Sequence, residues 1–185
     1  MMHDHIVTQP VIPAGDFILR PLRTSDAGLI RLHTSDERVA RGTTSIPHPL
    51  PPGVPEDFIR RAQTEGREED VWAIDASQNG GPEVMGLVGL TRMDGGGQSE
   101  ISYWVAPAYW NTGVASGAVA AIVAANPLGD RTFFASVFQD NPASARVLTN
   151  CGFAYIGDAE SFSVARGVNV PTWTYSRVLE SGKQD

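Results

Sequence analysis

The first chemical signal in the sequence lies between Trp104 and Ser116, which reads Trp-Val-Ala-Pro-Ala-Tyr-Trp-Asn-Thr-Gly-Val-Ala-Ser. An extended stretch ends at Val105, Pro107 breaks it, and Gly113 precedes a string of small helix formers. A helix starting there leaves its first backbone N–H groups without intrahelical acceptors and carries partial positive charge. A glycine at that point lets a phosphate approach the backbone closely, so the geometry suits a pyrophosphate. A plain strand-loop-helix corner would show the same single glycine. Other eye-catching residues carry less. Gly95-Gly96-Gly97 lies between two strand patterns, as a hairpin tip does. Cys151 is the one cysteine, stands before a Gly152 helix stop and reads as core packing. It can form no internal disulfide, and no Cys/His cluster has zinc spacing, so no metal site is expected. No His or Asp stands in a nucleophile-elbow context.

These residues need a scaffold. Phe17 to Leu22 reads as a first strand, with Pro21 marking its end. Thr24-Ser25-Asp26 supplies N-cap chemistry for a helix whose face is Leu29, Ile30 and Leu32. A stiff loop follows, with five prolines from Pro47 to Pro55, and then a short helix over Glu56 to Gln63. Val71 to Ala76, Val84 to Arg92 and Ser99 to Val105 form an antiparallel meander separated by Gly-rich turns. A helix over Val114 to Ala125 leads into a strand over Thr132 to Phe138. That helical crossover predicts a parallel pair with the preceding strand. Asn141-Pro142 opens the next helix as N-cap and first residue, with Ala145, Leu148 and Cys151 on one side. Phe153 to Gly157 and Thr172 to Leu179 close the chain as a strand pair. The order β-α-α-β-β-β-α-β-α-β-β is that of an α+β layer structure with one long mixed sheet. Residues 1–15 read as a flexible leader, 16–180 as one domain and 181–185 as a solvated tail.

The balance of 14 basic against 21 acidic residues, a net charge of −7, disfavours nucleic acid as a partner. The same charge suits a cationic one. No secretory signal or membrane-length apolar run is visible, and with one cysteine this points to the cytoplasm.

Three stretches make the chain similar to a known family. They are Phe17-Ile18-Leu19-Arg20-Pro21-Leu22 with Thr24-Ser25-Asp26, Glu100 to Val105 running into Tyr109 to Ala115, and Asn141-Pro142-Ala143-Ser144 through Asn150-Cys151-Gly152-Phe153. On these the chain resembles the GNAT superfamily of acetyl-CoA-dependent N-acetyltransferases, in its RimJ/RimL-like branch (ribosomal-protein N-terminal acetyltransferase-like). Against the superfamily's pyrophosphate motif, (Gln/Arg)-x-x-Gly-x-(Gly/Ala), Trp110 takes the first place, Gly113 the fourth and Ala115 the sixth. The resemblance implies an α+β GNAT fold with a mixed, mostly antiparallel central sheet, splayed at its parallel strand pair, and helices on both faces. It implies that acetyl-CoA is the co-substrate. Its pantetheine arm would pair with backbone groups of Tyr103, Trp104 and Val105 as an added strand. Its pyrophosphate would sit on Trp110, Asn111, Thr112, Gly113, Val114, Ala115 and Ser116, and Asn141 and Ser144 would face its arm.

The chemistry implied is direct acetyl transfer to a primary amine, either a protein N-terminus or a small molecule. Such an amine is mostly protonated near pH 7, so a base helps. Glu100 is the expected base. It shares a strand face with Ser102 and Trp104, opposite the buried set Ile101, Tyr103 and Val105. An acidic residue at this place lies near the acceptor in RimJ/RimL-like proteins, while a solvated Glu at a hairpin base is the plain alternative. Ser144 is expected as an acid or a water-holding group, because Thr149 stands about where many relatives carry a tyrosine. His48 and residues 41–46 are candidates for the acceptor mouth. A non-catalytic acyl-CoA-binding sensor of the same fold is the second reading, and a base at Glu100 separates the two. A homodimer through the final strands remains open.

Overall fold

The computed structural model describes residues 9–179. Among them, eight strands form one sheet in the order β1-β2-β3-β4-β5-β6-β8-β7. The strands are β1 (Ile12–Ala14), β2 (Phe17–Pro21), β3 (Glu69–Asp75), β4 (Gly86–Arg92), β5 (Gln98–Val105), β6 (Thr132–Phe138), β7 (Ala154–Ser163) and β8 (Val168–Val178). The helices are α1 (Ala27–Thr34), α2 (Glu37–Arg41), α3 (Val54–Ala62), α4 (Val114–Ala125) and α5 (Pro142–Asn150). Every paired neighbour is antiparallel except β5 and β6.

Period-2 alternation divides the core between the two faces. Trp72 and Ile74 of β3, Val88 and Leu90 of β4, and Ile101 and Val105 of β5 pack with Ala118, Val119, Ile122 and Leu148 of α4 and α5. Val71, Ala73 and Leu87 turn the other way, against Ile30 of α1 and Ile59 and Ala62 of α3. Helices therefore cover both faces, as a mixed sheet with a helical crossover requires. α4 lies close to the sheet because its interior residue Gly117 has no side chain. A Cβ there would stand 3.1 Å from the Phe17 ring.

The start of the domain is locked by a buried ion cluster. Arg20 sends two guanidinium nitrogens to Asp26, each at 2.9 Å, and its Nε to Asp75 at 2.6 Å. Asp26 also accepts from the Arg23 backbone N–H. All three side chains are almost fully enclosed, so removing any one would strand a buried charge.

Several expectations change. The flexible leader over residues 1–15 is corrected at its end, because Ile12–Ala14 pairs with Phe17–Leu19 and Ile12 is buried. Residues 1–8 and the expected tail, 181–185, lie outside the described residues. Leu32 is exposed, so of the three expected residues only Leu29 and Ile30 face inward, joined there by Ala27. α2 was not foreseen. Asp36 caps it by accepting from the Arg38 backbone N–H at 2.9 Å. The final hairpin is much longer than expected, and its connection shrinks to residues 164–167.

Candidate active site

β5 and β6 pair only at Gln98↔Thr132, Ser99↔Phe133 and Glu100↔Phe134. β4 continues along β5 as far as Val105. The other edge of β5, from Ile101 onwards, thus has no ladder partner, and the sheet opens there. A cavity of about 590 Å³ occupies the opening and the adjacent α1/α3 face. Glu100, Ser102 and Trp104 line it from one side, Tyr103 at the gap, and Ser136 to Phe138, Asn141 and Ser144 from the other. The alternation expected along β5 is present, since Ile101 and Val105 are buried on the opposite face.

Five of the expected site residues converge on this cavity: Glu100, Tyr103, Trp104, Asn141 and Ser144. Val105 and Trp110 to Ser116 do not line it; they lie at the far end of β5, where α4 begins. Gly113 stands before α4 with φ +82°, a left-handed conformation that glycine adopts without strain. A Cβ there would meet nothing, so the requirement is conformational and not spatial. The first helical bond runs from the Gly117 N–H to the Gly113 carbonyl, which leaves the N–H groups of Val114, Ala115 and Ser116 for an outside acceptor. Trp110 behaves differently from a pyrophosphate ligand. Its indole N–H donates to the Val105 carbonyl at 2.7 Å, which occupies one of that oxygen's two lone pairs and leaves the Val105 N–H facing the open edge. Arg38 of α2 lies over the Trp110 ring, 5.6 Å from its centroid. Its guanidinium is paired with Asp36 at 2.8 and 3.1 Å, so the opened edge of β5 and the free N–H groups of α4 are what fit an extended ligand that ends in an anion.

At the acceptor side, hydrogen bonding decides what Ser144 presents. The Tyr103 phenol donates to the Ser144 carbonyl at 2.8 Å, and the Ser144 hydroxyl donates to the phenol oxygen at 3.0 Å. Ser144 is left with lone pairs facing the cleft, so at rest it is an acceptor and not an acid. Burial pushes the Tyr103 phenol far up, so it stays neutral. Asn141 accepts from the Ser144 backbone N–H at 3.3 Å as N-cap while also lining the cavity. Burial raises the Glu100 carboxyl even though it remains open to the cavity. The Thr172 hydroxyl, in the same lining, is buried without a hydrogen-bond partner among the described residues. Such a group is commonly met by water or ligand.

Residues 42–47 and Leu50 line the mouth, whereas Arg41 and His48 do not. Arg166, at the tip of the final hairpin, holds this segment in place. It donates to the Arg41 carbonyl at 2.8 and 3.2 Å, pairs with Asp140 at 2.5 Å and stacks over Phe138 at 5.0 Å. The Val164 N–H also donates to the Thr44 carbonyl at 3.0 Å. Sequence reading missed Arg166, and it missed Glu69, which lines the same cavity. Glu69 was legible in principle, since it shares parity with Val71 and Ala73 on the same strand face.

An acetyltransferase (GNAT) domain model matches residues 16–154, and the chain belongs to that family. It is an N-acetyltransferase, and acetyl-CoA is the co-substrate of such enzymes. Over 182 residues the chain is 27% identical to an uncharacterised N-acetyltransferase, YoaA, of Bacillus subtilis (strain 168), covering 91% of this chain and 97% of that one. Its fold is similar to RimL, a ribosomal L7/L12 alpha-N-protein acetyltransferase solved with coenzyme A. There the TM-score is 0.79 at 15% identity, over 93% of this chain and 99% of that one. It is also similar to spermidine N-acetyltransferase from Vibrio cholerae, solved with CoA and spermine. The TM-score is 0.74 at 16% identity, over 90% and 97% of the two chains. At these identities the likeness to solved structures is one of fold.

Proposed function

We propose that this chain acetylates a primary amine, a protein N-terminus or a small-molecule amine, by direct transfer, with Glu100 as the base. The observation that carries the reading is the position of Glu100. It is the last β5 residue paired with β6, so its carboxylate stands where the sheet opens into the cavity. The three stretches shared with RimJ/RimL-like proteins favour an acceptor of the α-amine kind. One cysteine and the absence of any membrane-length helix among the described residues fit work in the cytoplasm.

Acetyl-CoA supplies an activated acetyl carbon and a thiol leaving group. The N–H groups of Val114, Ala115 and Ser116 bind its pyrophosphate, and Gly113, Asn111 and Thr112 shape the approach. Backbone groups of Tyr103 and the Val105 N–H, which face away from β4 at the open edge, hold the arm as an added strand, whereas Trp104 spends its backbone groups on Leu87 of β4. An N–H at that edge is also placed to stabilise negative charge on the carbonyl oxygen. Glu100 takes a proton from the acceptor ammonium. Ser144 receives a hydrogen bond through its free lone pairs, and Asn141 fixes the first turn that carries it.

The test is Glu100→Gln with acetyl-CoA binding followed by calorimetry and thiol release over N-terminal peptides, polyamines, amino acids and aminoglycosides. Loss of a general base costs about 10²–10⁴ in rate, so kcat should fall at least tenfold with acetyl-CoA binding barely changed. For the wild type, kcat/KM should fall as pH drops through a value above the ordinary glutamate range, because burial raises the Glu100 carboxyl. Unchanged turnover in Glu100→Gln removes Glu100 from the mechanism. Acetyl-CoA binding without thiol release for any acceptor favours the sensor reading.

A further inference from the structure

Glu69, at the start of β3, is a second carboxylate in the same wall. Glu69 stands opposite Thr91 of β4, and Thr91 opposite Glu100 of β5, so the three form one row across the sheet. All three line the cavity. The Glu69 side chain does not stand straight up from its strand. It folds over Gly89 of β4, and its Oε1 fills the space that a Cβ at Gly89 would occupy. Gly89 is itself the neighbour of Ser102, which follows Glu100 on the same face. The missing side chain is therefore a notch through which the Glu69 carboxylate reaches across β4, toward the β5 face that carries Ser102 and Glu100. Glu69 also stands at the junction with a second cavity of about 350 Å³, sharing Phe58, Arg61 and Val71 with the first.

We propose that Glu69 is an acceptor-binding carboxylate that holds the incoming amine as an ammonium ion beside Glu100, which takes its proton. The inference rests on the acetyl-transfer reading of this cavity. The step balances as R–NH₃⁺ and the Glu100 carboxylate becoming R–NH₂ and a neutral Glu100 carboxyl. The amine nitrogen regains its lone pair while Glu69 keeps its charge. Burial raises the Glu69 carboxyl most; Arg61 of α3 opposes this, and Glu100 and Asp70 add to it. Two carboxylates in one cavity wall repel one another when both are ionised, and a bound ammonium relieves that repulsion.

The experiment uses the full chain without acetyl-CoA, labelled with carbon-13 at glutamate carboxyls and assigned with Glu69→Gln and Glu100→Gln. n-Butylamine is titrated at pH 7, with 1-butanol as the neutral control. The amine should move both resonances and the alcohol neither. Glu69→Gln should weaken amine binding at least fivefold. Gly89→Ala should do the same with both carboxylates retained, since its new Cβ clashes with the mobile end of Glu69 while the Asp70 carbonyl stands at an ordinary contact distance of 3.5 Å. An amine that moves Glu100 alone, moves neither resonance, or binds Glu69→Gln as tightly as the wild type overturns the proposal. Calorimetry with acetyl-CoA on the same samples keeps the two ideas apart. A wild-type chain that binds no acetyl-CoA overturns the acetyl-transfer reading, while the amine titration decides the role of Glu69.

Discussion

The two ends of the cleft are built on opposite plans. The cofactor end, as proposed, is a contiguous stretch, Trp110 to Ser116, that offers backbone N–H groups and one left-handed glycine. The acceptor end is assembled from side chains on β3, β4, β5, β6, α5 and the mouth segment, with a hairpin tip pinning that segment from outside. A site made of backbone needs only a local conformation, so any sequence that forms the turn forms the site. A site made of side chains needs remote segments to meet, and each can vary separately. This contrast explains how one fold can keep its co-substrate while its acceptor changes.

The contrast can be broken from either end. After Glu100→Gln, the next largest effect is expected for Gly113→Val. A β-branched residue at φ +82° costs about 1–3 kcal/mol of backbone strain. Acetyl-CoA affinity should fall about tenfold or more by calorimetry, with the final hairpin and acceptor mouth unchanged. Normal affinity would mean that the loop conformation does not matter for binding. Arg166→Ala should act in the opposite sense. It removes charge-assisted bonds to Asp140 and the Arg41 carbonyl, so the mouth segment loosens. The acceptor KM should rise roughly threefold to tenfold, on the scale of about 1 kcal/mol. Acetyl-CoA affinity and kcat should hold. A change in acetyl-CoA affinity instead would show that the two ends are not separable.

The smallest effect concerns stability. A carboxyl raised in the folded state keeps protons that the unfolded chain has already lost. Stability therefore falls as pH rises from the ordinary glutamate range through the raised value. At pH 7 Glu69 is thus a net burden, reduced by its access to cavity water. Glu69→Gln should raise Tm by on the order of 2 °C at pH 7 and by nothing measurable at pH 4. A variant less stable at pH 7 would make Glu69 a structural residue.

Legibility in the sequence followed the same division. α4 runs over Val114–Ala125, as its small apolar residues predict, and Gly113 precedes it. The parallel β5–β6 pair follows from the helical crossover between them. Glu100 was legible because β5 alternates cleanly. Residues 158–163 were not legible as strand. Both faces of this edge are largely wet, so Asp158, Glu160 and Ser161 are tolerated and no apolar period survives. Residues 42–47 are loop, and no local pattern says where such a loop will lie.

By itself the sequence determined the family, the order of elements from Phe17 onward apart from α2, the glycine turn before α4 and one candidate base. These depend on bonds between residues a few positions apart, or on which face of a strand a residue occupies. Tertiary structure decided everything that needed distant segments to meet. No Lys or Arg stands between Arg92 and Arg131, yet the fold brings Arg38 over Trp110 at the cofactor end. It turns Ser144 into an acceptor by placing the Tyr103 phenol against it. It also folds Glu69 over Gly89 and sets it in one cavity wall with Glu100, 31 positions away in the chain. Burial and electrostatic coupling depend on separation in space, and separation along the chain does not report it.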